Sequence, residues 1–370
     1  MGARGHRFVW AAEETLNNWY HAPPVTARSG VADYAHRLLP ALLKFGPSPV
    51  PLYHLGNNPL HNDIYSRSLA EPGVVVLHDA VLHHFLLGRL SREEYMAEFI
   101  HNYGEWKRQL AEDLWAARAS AGIDPRYFEF PLLRRVAECS RAVIVHNPGA
   151  AAIARAHGAK NVHVIPHFHE PVVVDPVDAI RFRQRLGIPQ TARLFGIFGY
   201  LRETKRVVPS LTAFHRLRAT DPNVRLLIAG QPVSADLTRL LDSLAGAEGV
   251  HRLGHLSDAD LNTAAVAIDC CINLRYPAAG ETSGIAIRLM GMGKPVILTR
   301  SLETSSLPEY TWLGVNAGPG EIEELLLQMA LVARMPGVGR DIGDQARRHI
   351  AAHHSRDEVA CRYRDALLSA

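Results

Sequence analysis

The chain has 370 residues, more than one hydrophobic core usually organises, so two domains are expected. Apolar residues make up 47% and charged residues 21% of the sequence, which is the composition of an ordinary globular protein. The formal net charge of +3 fits an anionic substrate, and it is too small to indicate a nucleic-acid partner.

Cysteine spacing and hydropathy predict where the protein is found. The four cysteines show no CxxC or other ligand spacing, which favours reduced thiols in the cytosol. No stretch reaches the ~18–20 apolar residues that span a bilayer, and the first residues lack the apolar core and cleavage site of a signal peptide. We therefore expect a cytoplasmic protein with at most a peripheral contact at the inner membrane face.

In chain order, the first half alternates short β-rich runs with helical patterns. A strand-like run, NNWYHAPP, precedes a helix with apolar residues at helical spacing in SGVADYAHRLLPALLKFG. SPVPLYHLG and GVVVLHD are typical of buried strands, and one or two helices are predicted at residues 91–122. The strands RAVIVHN and NVHVIPHF then enclose a short helix at residues 150–157.

The second half repeats the alternation after a proline-rich linker, HEPVVVDPVD. Strands are predicted in RLFGIFGY, VRLLIAG, VHRLGHL, AIDCCINLRY and PVILTR. Helices are predicted at residues 207–218, 235–245, 258–265 and 321–333, with another after residue 284 and a last one at residues 345–368.

Two such alternations predict an α/β protein with two Rossmann-like, doubly wound parallel-sheet domains that face a cleft. We expect domains at residues 1–170 and 171–345, with a C-terminal helix at residues 346–370 that packs toward the first domain. Ligands of such sheets bind outside the carboxyl ends of the strands. The loops after His78, Asn147 and Gly199 and the loop at residues 277–284 are therefore candidate functional loops.

The loop Gly280-Glu281-Thr282-Ser283-Gly284 lies between a predicted strand and a predicted helix. Either Thr282 or Ser283 can cap that helix, whose N-terminus favours a phosphate. A carboxylate beside a phosphate is explained if the ligand also carries hydroxyl groups, so a phosphate joined to a sugar suits Glu281. The alternative is a capped loop with a solvated glutamate, which local spacing alone slightly favours.

Basic residues follow the strand RLFGIFGY. Arg202, Lys205 and Arg206 lie between that strand and a helix, and cations at a strand's carboxyl end suit a diphosphate. A solvated basic helix start is the alternative. It is disfavoured because cations near a helix N-terminus are unfavourable unless an anion compensates them.

At this point the chain resembles glycosyltransferase family four, the retaining, nucleotide-sugar-dependent enzymes with the GT-B fold. The similarity extends from about residue 23 to the end, and it is carried by SGVADYAHRL, FGYLRETKR, INLRYPAAGETSGIAIRLMGMGKPVIL and the closing helix with YRDALL. The resemblance implies transfer of a hexose from a nucleoside diphosphate sugar, such as a UDP or GDP sugar, to a hydroxylated acceptor. It also implies no cofactor and no metal, with the acceptor bound by the first domain and the donor by the second.

The resemblance implies roles for individual residues. Catalytic roles fall to His78, Lys205 and Glu281. Donor contacts fall to Gly30, Arg202, Lys205, Glu281, Thr282, Ser283 and Gly284. In the family, the glycine and the lysine contact the diphosphate, the loop with the glutamate holds the sugar hydroxyls, and the histidine lies near the reacting sugar. Arg202 replaces the family arginine that directly follows the strand's glycine, where this chain has Tyr200.

One position departs from the family pattern. The family places two glutamates eight positions apart, and the second holds the nucleotide ribose. Counting back from Gly293-Lys294-Pro295, the second position is Arg288, and the first falls on Gly280 or, with a one-residue slip, on Glu281. The ribose contact is therefore made elsewhere or altered, and Arg288 meets a phosphate or pairs with an acid.

Polar residues on the loop YHLGNNPLH suit a hydroxylated acceptor. Asn57, Asn58 and His61 are acceptor-side candidates, although a plain Asx turn is equally consistent with this pattern. His146, at the end of a predicted strand, is a fourth candidate. The 20 histidines never combine ligand spacing with nearby acids or cysteines, so we expect no metal site.

Two alternatives to a transferase stay open. The first is a nucleotide-sugar epimerase or hydrolase on the same fold, which would consume donor without an acceptor. The second is a catalytically silent nucleotide-sugar-binding subunit, an alternative that the missing second glutamate keeps open.

Overall fold

Two structural units make up the chain in the computed structural model, which describes residues 18–27, 29–243 and 247–370. The first unit contains the described residues up to His167, together with Ala279–Thr282 and Arg356–Ala370. The second unit contains the described residues of Phe168–Ala278 and Ser283–Ser355. The chain therefore returns to the first unit twice after leaving it.

In the described part of the first unit, five parallel strands form a sheet in the order β1-β2-β3-β4-β5. The strands are β1 (Tyr20–His21), β2 (Leu52–Leu55), β3 (Val74–Leu77), β4 (Ala142–Val145) and β5 (Val162–Val164). The helices between them are α1 (Gly30–Leu42), α2 (Asn62–Ala70), α3 (His83–Arg89), α4 (Arg92–Tyr103), α5 (Arg108–Ala116), α6 (Arg126–Glu129), α7 (Arg134–Cys139) and α8 (Pro148–Ala156). Every residue of β2, β3 and β4 is buried, as expected for a parallel sheet covered on both faces.

In the described part of the second unit, six parallel strands form a sheet in the order β11-β10-β9-β6-β7-β8. The strands are β6 (Arg193–Phe198), β7 (Val224–Ala229), β8 (Val250–Leu253), β9 (Cys270–Asn273), β10 (Val296–Thr299) and β11 (Leu313–Val315). The helices are α9 (Pro176–Arg185), α10 (Val207–Thr220), α11 (Ala235–Ser243), α12 (Asp258–Ala267), α13 (Gly284–Gly291), α14 (Glu321–Arg334) and α15 (Pro336–His353). Two apolar clusters, one on each face of this sheet, form its core.

The last helix, α16 (Arg356–Leu368), belongs to the first unit. It packs against α1, where the hydroxyl groups of Tyr34 and Tyr363 lie 3.0 Å apart. Lys44 also donates a 3.0 Å hydrogen bond to Asp357, just after the start of α16. The chain end thus covers the first helix of the first unit.

The structure confirms the fold predicted for each half, namely two Rossmann-like α/β units with parallel sheets. The single helix predicted at residues 345–368 is wrong, because two helices, α15 and α16, meet at His354 and Ser355. The pattern missed this break because neither residue is a strong helix breaker. The observed units begin and end near residues 167 and 355, whereas the prediction used residues 170 and 345.

Among the residues that the structure describes, no helix has both the length and the apolar character needed to cross a membrane.

Candidate active site

The strand order of the second unit reverses between β6 and β9. The chain builds β6, β7 and β8 outward on one side, and then returns to place β9 against the other side of β6. In open parallel sheets, ligands bind at such a switch point, outside the carboxyl ends of the two strands. The loops at this point are the ones that carry Lys205 and the segment around Ser283.

Lys205 is buried close to the end of β6. Its Nζ atom donates a 2.7 Å hydrogen bond to the carbonyl oxygen of Phe198, the last residue of that strand. Gly199 follows with φ +88°, and a Cβ atom there would lie 2.9 Å from Lys205 Nζ and 2.7 Å from Ile285 Cδ1. Glycine at this position therefore leaves the space that the ammonium group and the start of α13 both occupy.

The N-terminus of α13 contributes the second half of an anion site. Ser283 is the N-cap, and its Oγ accepts a 3.3 Å hydrogen bond from the backbone N–H of Ala286. Of the two caps considered from the sequence, the structure confirms Ser283. The first turn, from Gly284, directs its amide groups and the positive end of the helix dipole outward. Because Ile285 and Lys205 both border Gly199, this helix start and a cation lie side by side.

The three basic residues after β6 have different environments. Arg202 is exposed, and its carbonyl oxygen accepts from the N–H of Lys205 at 3.0 Å. Arg206 instead forms an ion pair with Glu321, in which its Nε donates to both carboxylate oxygens, at 3.0 and 2.9 Å. Glu321 is only 2% exposed, so Arg206 serves to neutralise a buried acid between α10 and α14. Lys205 and Arg202 remain the candidates for a diphosphate.

Arg288, at the position of the missing family glutamate, pairs with an acid. Its two terminal nitrogens donate to the two carboxylate oxygens of Asp258 at 3.1 and 3.2 Å. Asp258 lies in the first turn of α12. Of the two partners considered from the sequence, the structure therefore shows the acid.

The segment Ala279–Thr282 belongs to the first unit and carries Glu281. The backbone N–H groups of Ala80 and Val81, just after β3, donate to the carbonyl oxygen of Ala279 at 2.8 and 3.1 Å. Gly280 has φ +75°, and a Cβ atom there would lie 2.6 Å from that of Ala80. The Glu281 carboxylate accepts a 2.7 Å hydrogen bond from the N–H of Ala279, which folds the side chain back over its own loop.

Asn147, the N-cap of α8, is a residue that the sequence analysis did not single out. Its Oδ1 accepts a 2.8 Å hydrogen bond from the N–H of Ala150. Its Nδ2 donates at 2.9 Å to the carbonyl oxygen of Gly280 and at 2.9 Å to Thr282 Oγ1. The only local signal was an asparagine before a proline after a strand, which predicts a helix cap and says nothing of a partner 133 positions away.

Three histidines lie at the carboxyl ends of neighbouring strands in the first unit. His54 is the third residue of β2, while His78 and His146 directly follow β3 and β4. His54 Nδ1 and His78 Nε2 are 3.0 Å apart, so one ring donates to the other. The ring of Tyr34 lies 5.0 Å, centroid to centroid, from those of His78 and His146. We call His54, His78, His146 and Tyr34 the histidine cluster.

The histidine cluster is uncharged at neutral pH. Burial, followed by the neighbouring His146, lowers the pKa of His78 well below its usual value. Burial likewise lowers the pKa of His54, and it lowers the pKa of His146 to about 4 even though His146 Nδ1 lies 2.9 Å from the carbonyl of Ile165. The Nε2 atoms of His54 and His146 are buried, and neither has a hydrogen-bond partner within the described part of the chain. Neutral imidazoles of this kind can exchange hydrogen bonds with hydroxyl groups.

The acceptor-side candidates on the loop after β2 support local structure. Asn57 Oδ1 accepts from the N–H of Phe85 at 2.7 Å, and Asn58 Oδ1 accepts from the N–H of Leu60 at 3.0 Å. His61 is fully buried, with its Nδ1 3.0 Å from the carbonyl oxygen of His54. The Asx-turn interpretation thus accounts for Asn58, and acceptor contacts by these residues stay predictions.

Gly30 is the first residue of α1, after the N-cap Ser29. A Cβ atom at Gly30 would have no atom of the described chain within 4 Å. None of the residues that the structure describes therefore requires glycine at this position, although glycine costs helix stability relative to alanine. The approach of a ligand to the backbone would explain it.

Among the residues that the structure describes, no three His, Cys, Asp or Glu side chains come together as a metal site requires. The expected absence of a metal stays a prediction.

A comparison with known protein families finds a match in the second half of the chain. Residues 178–347 match the family model described as glycosyl transferases group 1. That segment includes the Lys205 loop, the helix α13 and most of the second unit. It lies within the longer region, from about residue 23 to the end, in which the sequence resembles the nucleotide-sugar-dependent enzymes.

A curated relative aligns with part of the chain. The D-inositol 3-phosphate glycosyltransferase of Stackebrandtia nassauensis is 31% identical over 144 residues, which are 37% of this chain and 32% of that protein. This chain thus aligns with about a third of the length of the curated relative that it matches.

Solved structures show the fold over nearly the whole chain. Anabaena HepE, solved with UDP and glucose, is 16% identical and aligns over 95% of this chain and 99% of its own, with a TM-score of 0.61. A sucrose-phosphate synthase from Thermosynechococcus elongatus is 19% identical over 86% of this chain and 74% of its own, with a TM-score of 0.59. WaaG, a glycosyltransferase of lipopolysaccharide biosynthesis, aligns over 91% and 84% at 16% identity, with a TM-score of 0.55. These structures show the GT-B fold for this chain, while the match to the family model is confined to residues 178–347.

Proposed function

We propose that the protein is a hexosyltransferase that moves a sugar from a nucleoside diphosphate sugar to a hydroxyl group of an acceptor, with retention of anomeric configuration. The observation that carries the proposal is the pairing of buried Lys205 with the capped start of α13 at the switch point of the second unit. The ammonium group and the helix N-terminus can each bind one of the two negatively charged phosphate groups of a diphosphate. No covalent cofactor is part of the proposal.

The donor contacts divide between phosphate and sugar. Lys205, Arg202 and the amides from Ser283 and Gly284 are assigned to the diphosphate, and Gly30 gives a backbone approach to the same group. Glu281 and Thr282 are assigned to the sugar, because a carboxylate accepts hydrogen bonds from hydroxyl groups and is repelled by phosphate. HepE has been solved with UDP-glucose, so UDP-glucose is the first donor to try, with GDP sugars beside it.

The acceptor is assigned to the first unit. His78 is assigned a place near the reacting sugar, and the neutral rings of the histidine cluster suit a hydroxylated acceptor. Asn57, Asn58, His61 and His146 are the proposed acceptor side. An acceptor at a membrane surface would require the peripheral contact that the sequence analysis allows.

The proposed reaction breaks the bond between the sugar's anomeric carbon and the phosphate oxygen. The acceptor oxygen attacks the same face from which the nucleoside diphosphate leaves, and its proton passes to the departing phosphate oxygen. Lys205, Arg202 and the α13 amides stabilise the negative charge that grows on that oxygen. Because these groups already supply positive charge, the reaction needs no divalent metal.

The test is the release of nucleoside diphosphate from a panel of UDP and GDP sugars, measured with and without a mixed pool of hydroxylated acceptors. We expect release that depends on acceptor, survives EDTA, and gives a product with the donor's anomeric configuration by NMR. Release without acceptor would indicate a hydrolase, and a changed sugar would indicate an epimerase. Binding of UDP or GDP without any turnover would indicate the silent subunit, and an absolute need for Mg²⁺ or Mn²⁺ would contradict the charge argument.

A further inference from the structure

The segment Ala279–Thr282 is held by side-chain and backbone groups that are distant in sequence. Two backbone N–H groups, of Ala80 and Val81, fix the carbonyl of Ala279. The next carbonyl, of Gly280, accepts from Asn147 Nδ2 at 2.9 Å. Two successive peptide groups before Glu281 are therefore fixed from outside the loop.

The orientation of the Asn147 amide follows from its partners. The N–H of Ala150 can only donate, and the carbonyl oxygen of Gly280 can only accept, so the oxygen must face the helix and the NH₂ group the loop. Asn147 is 1% exposed, and its partners Ala150, Gly280 and Thr282 lie in the first unit. Its capping bond to α8 thus fixes the direction in which it donates.

The same amide orients the hydroxyl of Thr282. Thr282 Oγ1 accepts from Asn147 Nδ2 at 2.9 Å, so its own hydrogen must be donated in another direction. The residue that follows, Ser283, uses its oxygen to cap α13. Thr282 is therefore fixed as a donor on the loop that also carries the Glu281 carboxylate, an acceptor.

We propose that Asn147 is a positioning residue for the donor sugar: it fixes the Gly280 peptide and turns the Thr282 hydroxyl so that it donates to the sugar while Glu281 accepts from it. This inference rests on the proposed function, because it takes Glu281 and Thr282 as sugar contacts. The proposed function assigns the diphosphate to Lys205 and Ser283, so loss of the Asn147 amide should affect the sugar contacts more than the binding of UDP.

The decisive variant is Asn147→Asp, which keeps the capping oxygen and replaces the NH₂ group with a second oxygen. That oxygen would repel the Gly280 carbonyl and accept the Thr282 hydrogen, which reverses the hydroxyl. We expect kcat to fall by about 10²-fold, the scale for misplacing a reacting group, while the dissociation constant for UDP changes by less than about threefold. Asn147→Ser keeps a good cap without reversing the hydroxyl, so its kcat should fall by only about tenfold, the scale of one lost hydrogen bond.

The control is Asn223→Asp. Asn223 Nδ2 also donates to a backbone carbonyl, that of Thr191, at 2.8 Å. It directly precedes β7 and so lies at the amino end of the sheet, away from the candidate site. We expect wild-type kcat and UDP affinity from this variant.

Two further readouts separate positioning from a general loss of structure. Amide hydrogen exchange at residues 279–282 should accelerate in Asn147→Asp, while exchange in α8 should not. A double-mutant cycle with Thr282→Val should be non-additive, with the double variant no slower than the slower single variant. Unchanged exchange at residues 279–282, additive effects on kcat, or a loss of UDP affinity as large as the loss of kcat would each overturn the inference. Absence of turnover in the wild type would overturn the proposed function instead, and the exchange measurement would still test the positioning by Asn147.

Discussion

Replacing Lys205 with methionine removes a buried cation from the proposed diphosphate site while keeping the length of the side chain. Lys205 is 9% exposed, and its ammonium group donates a hydrogen bond to the carbonyl oxygen of Phe198. Methionine would fill the space beside Gly199 and Ile285, so we expect the fold to tolerate the change. What is lost is the charge near the N-terminus of α13.

The expected size of the effect follows from where charge develops. In the proposed reaction the leaving phosphate gains charge as the glycosidic bond breaks, and Lys205 is already in place to stabilise it. Removal of one such preorganised group costs about 2.7–4 kcal/mol of transition-state stabilisation, or a fall in kcat of about 10²–10³-fold. The affinity for free nucleoside diphosphate should also fall, because the ammonium group attracts the product as well.

A second lysine of the same unit, which is partly buried, provides the control. Lys294 Nζ donates to the carbonyls of Val266 and Ile268 at 2.7 and 2.8 Å, at the amino end of the sheet. Lys294→Met therefore removes a comparable cation and its hydrogen bonds without touching the carboxyl end of β6. Initial rates and calorimetric titration with UDP or GDP would be measured for both variants, with thermal unfolding as a check on folding.

The reasoning is refuted if Lys205→Met keeps kcat and nucleoside diphosphate affinity within about threefold of wild type, far below the 10²–10³-fold scale of one lost stabiliser. It is also refuted if Lys294→Met loses affinity to the same degree, because the effect would then come from burying a neutral side chain anywhere in this unit. A large loss confined to Lys205→Met would support the diphosphate assignment.

Three further predictions use the same assays. Glu281→Gln should lower kcat while calorimetry finds nucleoside diphosphate affinity unchanged or slightly tighter, and an equal loss of affinity would mean that the carboxylate holds ribose or the loop. Gly30→Ala should leave the melting temperature unchanged or slightly higher, because its Cβ meets no atom of the described chain, yet weaken UDP binding in the same titration. Between pH 7 and 5 the first unit should lose roughly 2 kcal/mol of stability for each of His61 and His146, whose folded pKa values of about 4 lie below the unfolded value, so that the unfolded chain binds the protons. The free energy of unfolding of each unit would be measured at pH 7 and pH 5 by denaturant titration, with amide hydrogen exchange as the probe that distinguishes the two units. A first unit that is as stable at pH 5 as at pH 7 would count against the prediction.

The alternation of strands and helices was predictable because it follows from the spacing of apolar residues over short stretches of the chain. β3 and β9 are short, continuous apolar runs, and Ser257 and Ser283 are caps in the places where the chain predicts helix starts. Each of these features depends on a few neighbouring residues, so a single sequence reveals it. The break between α15 and α16 was missed because its cause is packing, with α16 joining the other unit.

Site residues could be predicted only where their role depends on neighbouring residues in the sequence, or where the family resemblance implies that role. Lys205 and Ser283 lie next to strand ends and could be placed from spacing. The pairing of Arg206 with Glu321 and of Arg288 with Asp258 joins residues 115 and 30 positions apart, and charge alone does not say which acid a guanidinium meets. Asn147 was missed for the same reason, because its two donors act on a segment that only the folded chain brings to it.

The return of Ala279–Thr282 to the first unit has a consequence for how such proteins diverge. A recombination event that replaced residues 168–355 with the same region of a relative would import a foreign version of this segment along with its own sheet. The imported residues would still have to fit Ala80 and Asn147, which the recipient supplies. Donor preference therefore cannot be inherited by exchanging the second sheet alone, and we expect hybrids to work best when the residues after β3 and β4 come from the same parent as the segment that they hold.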